Sequence, residues 1–341
     1  VYGEFYQLDF EMAFSTEEDV LRMGEKVFYE TFREFAKDKD ISEPPFIRLT
    51  YKEAMEKYGS DKPDLRNPLV IIDLTEEFEE TEFRPFRGVP VKGIKVENLA
   101  SKSNSWFNEV VDYAKSIGMP GIGYLKVNED LSFAGPIDKF LTEDEREALI
   151  DKADLKKDDV LFFIADRKKS LELDLMDPNK YVFAIIHDFP MFEWDEENEC
   201  YTFMHNPFSM PKDGMKGLDQ KVEDILAYQF DFVCNGVELS SGAVRNHDLE
   251  IMKKVFAIAS YEEEEIEKRF KALYEAFQYG APPHAGMAPG LDRILMMLLD
   301  EDSIRETIAF PMSTSGSDIL MNAPSTVTEQ QLREVHIKVR D

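Results

Sequence analysis

Residues 231–240 read DFVCNGVELS. Asn235-Gly236 between two β-prone runs is a strong two-residue hairpin signal, because both turn positions tolerate positive φ. A regular hairpin sets Cys234 opposite Val237, Val233 opposite Glu238, Phe232 opposite Leu239 and Asp231 opposite Ser240. Cross-strand partners share a sheet face, so Asp231 and Glu238 project from the same face as diagonal neighbours. Two adjacent carboxylates repel unless a cation or a proton lies between them. Hard oxygens of this kind suit Mg²⁺, which takes one or two carboxylates plus phosphate oxygens of a substrate. Two solvated acids on an open face are the plainer reading, and spacing alone does not separate the two.

The surroundings of the hairpin extend the sheet. Residues 4–14, EFYQLDFEMAF, alternate cleanly. Tyr6, Leu8, Phe10, Met12 and Phe14 fall on one face, and Phe5, Gln7, Asp9, Glu11 and Ala13 on the other, which predicts a strand with one buried face. A helix follows to about residue 36, capped by Ser15 or Thr16, with Glu17, Glu18 and Asp19 at the positive end of its dipole. A short helix over 50–58 leads into YGSDKPDLRNP (58–68), a charged loop with Gly and Pro. A strand at 69–72 and an acidic helical stretch to about 83 come next.

Residues 84–167 read as a separate unit, with helices near 104–117 and 142–152 and strands at 121–127 and 160–164. A polar connection, 168–180, precedes YVFAIIHDFPMFEW (181–194), a buried strand. Helices are expected at about 248–257 and 261–278, the second opened by Ser260 with Glu263 completing a capping box. GAPPHAGMAPGLDRILMMLLD (280–300) runs strand, Gly-rich turn, apolar helix.

Composition sets outer bounds. The 341 residues imply two or three domains, and 26 Phe allow a sizeable core. Lys and Arg number 40 against 69 Asp and Glu, a net charge of −29, which argues against a broad phosphate-tracking or membrane-bound surface. Two cysteines without a CxxC pair predict a reducing compartment and no structural zinc.

Other residues carry chemistry. Arg293 falls in the first turn of the helix opened by Gly290-Leu291-Asp292, where a cation opposes the helix dipole unless an anion binds between them. A surface pairing with an acid is the alternative. Arg245, after the turn 240–242, can grip a carboxylate bidentately or serve as a structural ion pair. His205, before a Pro in MHNPF, is a candidate too, although a lone His is more often structural, and Lys62, in SDKPDLR, is a weaker candidate of the same kind. No nucleophilic triad, HExxH or P-loop is present. The pattern fits a site for a nucleoside triphosphate with Mg²⁺ and a small acid.

EFYQLDFEMAF resembles the second half of motif 2 of class II aminoacyl-tRNA synthetases, and GLDRILMML (290–298) resembles motif 3. YGSDKPDLRNP, FPMFEW, MHNPFSMPKD, NGVELSSGAVRNHD, GAPPHAGMAPGLDR, IAFP (308–311) and NAPS (322–325) resemble, in order, the bacterial-type aspartyl branch of that family. The resemblance implies an α+β fold: an antiparallel sheet flanked by helices, with a smaller inserted α+β domain. The catalytic domain would then occupy 1–83 and 168–341, and the insert 84–167. It also implies activation of L-aspartate by ATP, with Mg²⁺, to aspartyl-adenylate, and transfer to the 3′ end of tRNA(Asp) and, in some members, tRNA(Asn).

By the same resemblance Phe5 and Arg293 would stack on adenine from two sides, and Gly290, Leu291 and Asp292 would flank the ATP. Gln7, Asp9 and His205 would surround the aspartate, with Arg245 on its side-chain carboxylate. Asp231 and Glu238 would hold Mg²⁺, with Glu238 also at the ATP and acting, like Arg245 and Arg293, as a catalytic group. A cytoplasmic homodimer is implied for the full-length enzyme. Motif 1, the anticodon-binding barrel and the first half of motif 2 have no counterpart here, so the resemblance implies a C-terminal fragment, inactive alone. Tyr2 and Asn206 depart from the family pattern at positions usually Gln and His. A non-catalytic paralogue serving as a binding module is the alternative. The retained Asp231, Glu238, Arg245 and Arg293 argue against it, and the insert and the loop at 58–68 argue against an asparaginyl enzyme.

Overall fold

A computed structural model describes residues 4–116, 119, 121–164 and 176–340. Tyr2 and most of the connection at 168–180 lie outside the described residues. The main sheet has six strands: β1 (Phe10–Ala13), β2 (Ile47–Thr50), β3 (Phe183–Pro190), β4 (Leu226–Cys234), β5 (Val237–Val244) and β6 (His284–Met287). Their spatial order is β1-β6-β5-β4-β3-β2, antiparallel throughout except for the parallel β3–β2 pair.

The hairpin forms at the expected turn, with Asn235 at φ 50° and Gly236 at φ 82°. Its register differs from a regular ladder. Cys234 pairs with Val237 and Val233 with Glu238, but Phe232 then faces Ser240 and Asp231 faces Ser241. Leu239 is the extra residue of a β-bulge, and everything after it moves by one place. Asp231 still falls two residues from Val233, the partner of Glu238, so the two acids keep a common face.

One face of the sheet is the main core. Helix α1 (Glu17–Phe35), capped by Thr16, buries Val20, Leu21, Phe28 and Phe32 there. They meet Phe183, Ile185, Phe230, Phe232 and Met287, with the Phe28 and Phe232 rings 5.1 Å apart. Each buried ring contributes about 2–3 kcal/mol. The opposite face is only partly covered. Helix α2 (Tyr51–Tyr58) closes it over β2, β3 and β4 through Leu49, Ala54, Ala184, Ile186, Phe189 and Val233. Toward β5, β6 and β1 it stays open.

The strand expected at 4–14 is shorter. Phe10 and Met12 are half-buried, but Tyr6, Leu8 and Phe14 are exposed, and Phe14 turns out at φ 56°. β1 is an edge strand, so only the part lying over α1 gains cover. The segment at 181–194 is interrupted at Asp188 (φ 60°), where the β3–β4 register shifts, and Phe192–Asp195 pairs instead with Cys200–Phe203. The helix expected at 261–278 is two, Glu263–Arg269 and Lys271–Gln278, broken at Phe270. Ser260 sits at φ 65° and Glu262 occupies the cap position, so the expected capping box does not form.

A second sheet has five strands in the order Ile71–Asp73, Lys92–Val96, Val160–Ile164, Gly123–Val127, Phe133–Ala134. Leu74, Phe78, Leu125, Leu149 and Phe163 pack on one face, and Ile94, Val96, Phe107 and Phe162 on the other. The sheet takes in Ile71–Asp73, ahead of residue 84. The acidic stretch before 84 is helical only as one 3-10 turn, Glu76–Phe78. No helix among the described residues is long and apolar enough to cross a membrane.

Candidate active site

The uncovered sheet face carries a cavity of about 660 Å³. Its floor is made of small residues: Ser240, Ser241 and Gly242 of β5 and Ala288 after β6 line it, with Gln229 of β4 beside them. The register sets Glu11, Gly286, Ala243 and Gln229 in one row across β1, β6, β5 and β4. Phe5, Tyr6 and Gln7 form one wall. Glu238, Ser241 and Arg245 come from β5 and its end. Helix α3 (Leu291–Leu298) starts at the cavity and contributes Gly290, Asp292 and Arg293.

An acidic cluster flanks the floor. Asp231 is buried, 1% exposed, and its Oδ1 has no hydrogen-bond partner. Burial first, and the nearby Glu238 charge second, push its pKa up to about 7. The Ser241 hydroxyl donates to Glu238 Oε1 at 3.2 Å. Lys62 Nζ lies 3.4 Å from Glu238 Oε2 and 2.7 Å from Asp61 Oδ2. Burial works to lower the Lys62 pKa, but the Asp61 hydrogen bond and the surrounding carboxylates outweigh it and raise it. His205 is exposed by surface area, yet its ring packs edge-to-face on Phe189 with centroids 5.1 Å apart. That local desolvation, followed by the Lys62 charge, lowers its pKa, so the neutral imidazole is favoured.

Both arginines are held by acids. Arg293 NH1 donates to the Glu238 carbonyl at 2.7 Å and lies 3.2 Å from Glu238 Oε1. Arg245 donates through Nε and NH2 to Glu11 Oε1 at 2.9 and 2.6 Å. Asp292 does not pair with Arg293. It accepts the backbone N–H of Tyr6 at 3.1 Å and so fastens the segment before β1 to the start of α3. A β-bridge between Gln7 and Gly290 completes that seam.

Of the expected residues, Phe5, Gln7, Glu238, Arg245, Gly290, Asp292 and Arg293 line the cavity together. Asp231 lies buried beside it, and His205 stands next to Asn206, which does line it. Asp9 is exposed and Leu291 is 40% exposed, and neither is among the lining residues. Gln229, Ser241 and Ile304 line the cavity without having been singled out. Gln229 was within reach of the sequence, since it sits two residues before Asp231 and shares its face. Ile304 was not, because its place depends on how the chain returns after α3.

The family described as tRNA synthetases class II (D, K and N) matches residues 2–314. An aspartate–tRNA(Asp/Asn) ligase of Rickettsia bellii is 46% identical over 358 aligned positions, covering 98% of this chain and 59% of the relative. One of Wolbachia pipientis is 46% identical over 360 positions, covering 99% and 59%. The chain thus spans about 59% of the length of the curated relatives it matches. The aspartyl-tRNA synthetase structure from Entamoeba histolytica aligns at a TM-score of 0.43 and 20% identity, over 92% of this chain and 44% of that one. With the family match extending over most of its length, the chain belongs to the class II tRNA synthetases of the D, K and N type.

Proposed function

We propose that this chain carries the amino-acid-activating site of an aspartate–tRNA ligase. The observation that carries this reading is the meeting of Phe5, Arg293 and Arg245 in one cavity of about 660 Å³ above a floor of small residues. Phe5 is 69% exposed and has no core role, which suits a ring kept free to stack on adenine. Arg293 would cover the other face of the base. Arg245 offers a planar donor edge to the side-chain carboxylate of L-aspartate. Gln7, Asp9 and His205 would close the remainder of the amino-acid pocket.

In-line attack of the aspartate α-carboxylate on the ATP α-phosphate, with pyrophosphate leaving, needs no protein nucleophile. It needs alignment and charge neutralisation. Among the described residues no three His, Cys, Asp or Glu are arranged to hold a metal by themselves. Asp231, with its unpartnered Oδ1, and Glu238 fit Mg²⁺ only if phosphate oxygens complete the shell. When bound, the ion would offset phosphate charge.

We place the inserted domain at 84–167, built on the second sheet, with Ile71–Asp73 added to that sheet from the preceding segment and the catalytic domain on either side. The acceptors would be tRNA(Asp) and tRNA(Asn), as in the names of the relatives, and the working enzyme a cytoplasmic homodimer. Calorimetric titration with 5′-O-(aspartyl-sulfamoyl)-adenosine, a non-hydrolysable adenylate mimic, tests the reading. The aspartyl compound should bind, and the lysyl and asparaginyl counterparts much more weakly. R245L should remove that preference. Equal binding of all three would sink the assignment.

A further inference from the structure

Glu11 lies on β1 and Arg245 just beyond β5, with β6 between them. Arg245 is fixed at its backbone, where its N–H donates to the His284 carbonyl at 2.9 Å. Its side chain then reaches Glu11, and a single oxygen, Oε1, takes both the Nε and the NH2 hydrogens. The Glu11 carboxylate rests over Gly286. A Cβ built on Gly286 would lie 2.5 Å from both Cδ and Oε2 of Glu11. The φ of Gly286 is ordinary, so what the site uses is the missing side chain.

This geometry divides the guanidinium into two edges. The Nε/NH2 edge is occupied by Glu11. NH1 has no partner among the described residues, and Arg245 lines the cavity. A guanidinium donates only, so the free edge donates to both oxygens of a carboxylate and opposes the –NH₂ of a carboxamide. That discrimination requires the edge to keep its direction, because a mobile Arg can turn away from a mismatched ligand.

We propose that Glu11 is a positioning residue: it fixes Arg245 so that the free guanidinium edge selects a carboxylate over a carboxamide. This inference rests on the proposed aspartate-activating reading. Because one oxygen accepts both bonds, Gln at position 11 can preserve the geometry while removing the charge. Ala removes both.

Affinities of E11A and E11Q for the aspartyl and asparaginyl sulfamoyl-adenosines and for ATP separate the possibilities, with thermal unfolding as the check on folding. E11A should weaken the aspartyl compound roughly tenfold, as for loss of a charge-assisted contact at a half-open site. It should leave ATP within about twofold and narrow the aspartyl-to-asparaginyl ratio. E11Q should stay within about threefold of the wild type and keep the ratio, since both hydrogen bonds can re-form. The proposal is overturned if E11A weakens all three ligands alike, if it leaves the ratio intact, or if E11Q is as impaired as E11A. A wild-type protein that does not prefer the aspartyl compound would overturn the functional reading as well. A wild-type preference that survives in E11A would overturn the role of Glu11 alone.

Discussion

Lys62 Nζ lies 3.4 Å from Glu238 Oε2, and the other oxygen of the same carboxylate lies 3.2 Å from Arg293 NH1. Glu238 is thus held between two cations from different parts of the chain, one in the loop after α2 and one at the start of α3. The Lys62 charge also acts on Asp231 and works to lower its pKa. In the absence of metal, Lys62 is the counter-charge of the carboxylate pair. A divalent ion must compete with it for the same oxygens. K62M should therefore bind Mg²⁺ more tightly when nucleotide phosphates supply the remaining oxygens, by roughly threefold to tenfold for a partly exposed pair. It should also unfold at lower temperature in metal-free buffer at pH 8. Calorimetric Mg²⁺ titration checks the first point, and an unchanged affinity would mean that the lysine and the ion do not share these oxygens.

Asp231 makes the metal-free fold sensitive to pH. Its pKa rises from 3.8 to about 7 on folding, chiefly through burial. Below about pH 4 the group is protonated in both states and costs nothing. As the pH rises toward 7 the unfolded chain ionises freely while the folded one resists, so stability falls. Above 7 the full cost is present, on the order of 4 kcal/mol at about 1.4 kcal/mol per tenfold change in proton affinity. D231N lacks this term. It should match the wild type near pH 4 and exceed it at pH 8 in metal-free buffer, as read by urea denaturation. Parallel pH curves for the two proteins would count against the burial argument.

The sheet and its hairpin were legible because alternation and Asn235-Gly236 are local signals. The helices at Glu17–Phe35 and Glu143–Lys152 were legible for the same reason, each with its capping Thr. The bulge at Leu239 was not, since a shift of register leaves no mark on a pattern of polar and apolar residues. Its effect is nonetheless local: Ser241 replaces Ser240 opposite Asp231, and its hydroxyl reaches Glu238. The exposed Tyr6, Leu8 and Phe14 could not be foreseen either, because alternation tells which face a residue is on and not whether anything covers that face. Long-range partners were least legible of all. The sequence left Arg245 open between a carboxylate binder and a structural ion pair, and nothing in it said that Glu11 would be the acid on one edge.

The main core depends on a few rings. Phe28 is fully buried and meets both Phe183 and Phe232, at 6.0 and 5.1 Å. It is the point where α1 grips the face opposite the cavity. F28A should destabilise the protein by about 3–5 kcal/mol, the transfer cost of the ring plus the cavity left behind. F28L should cost about half as much. Urea denaturation gives both values. Because the substituted face is the far side of the sheet, ligand affinity measured well below the unfolding midpoint should be nearly unchanged.

Phe5 and Arg293 line the same cavity from different elements, and both side chains are substantially exposed, 69% for Phe5 as a residue and 46% for the Arg293 side chain. Phe5 has no core contact, so F5A should leave the unfolding temperature within about 2 °C of the wild type, while R293A also loses its contacts to Glu238 and should lower it by a few degrees at most. Ligand binding is different. If an adenine ring lies between them, each contributes a stacking or cation–π contact of about 1–2 kcal/mol, a loss of roughly tenfold in ATP affinity for each single substitution. The two contacts act on one rigid ring, and a base freed on one face is held less firmly against the other. The double variant should therefore lose less than the product of the two single effects, with a coupling of at least about 0.5 kcal/mol in the double-mutant cycle. Strict additivity would show that the two side chains do not grip the same group.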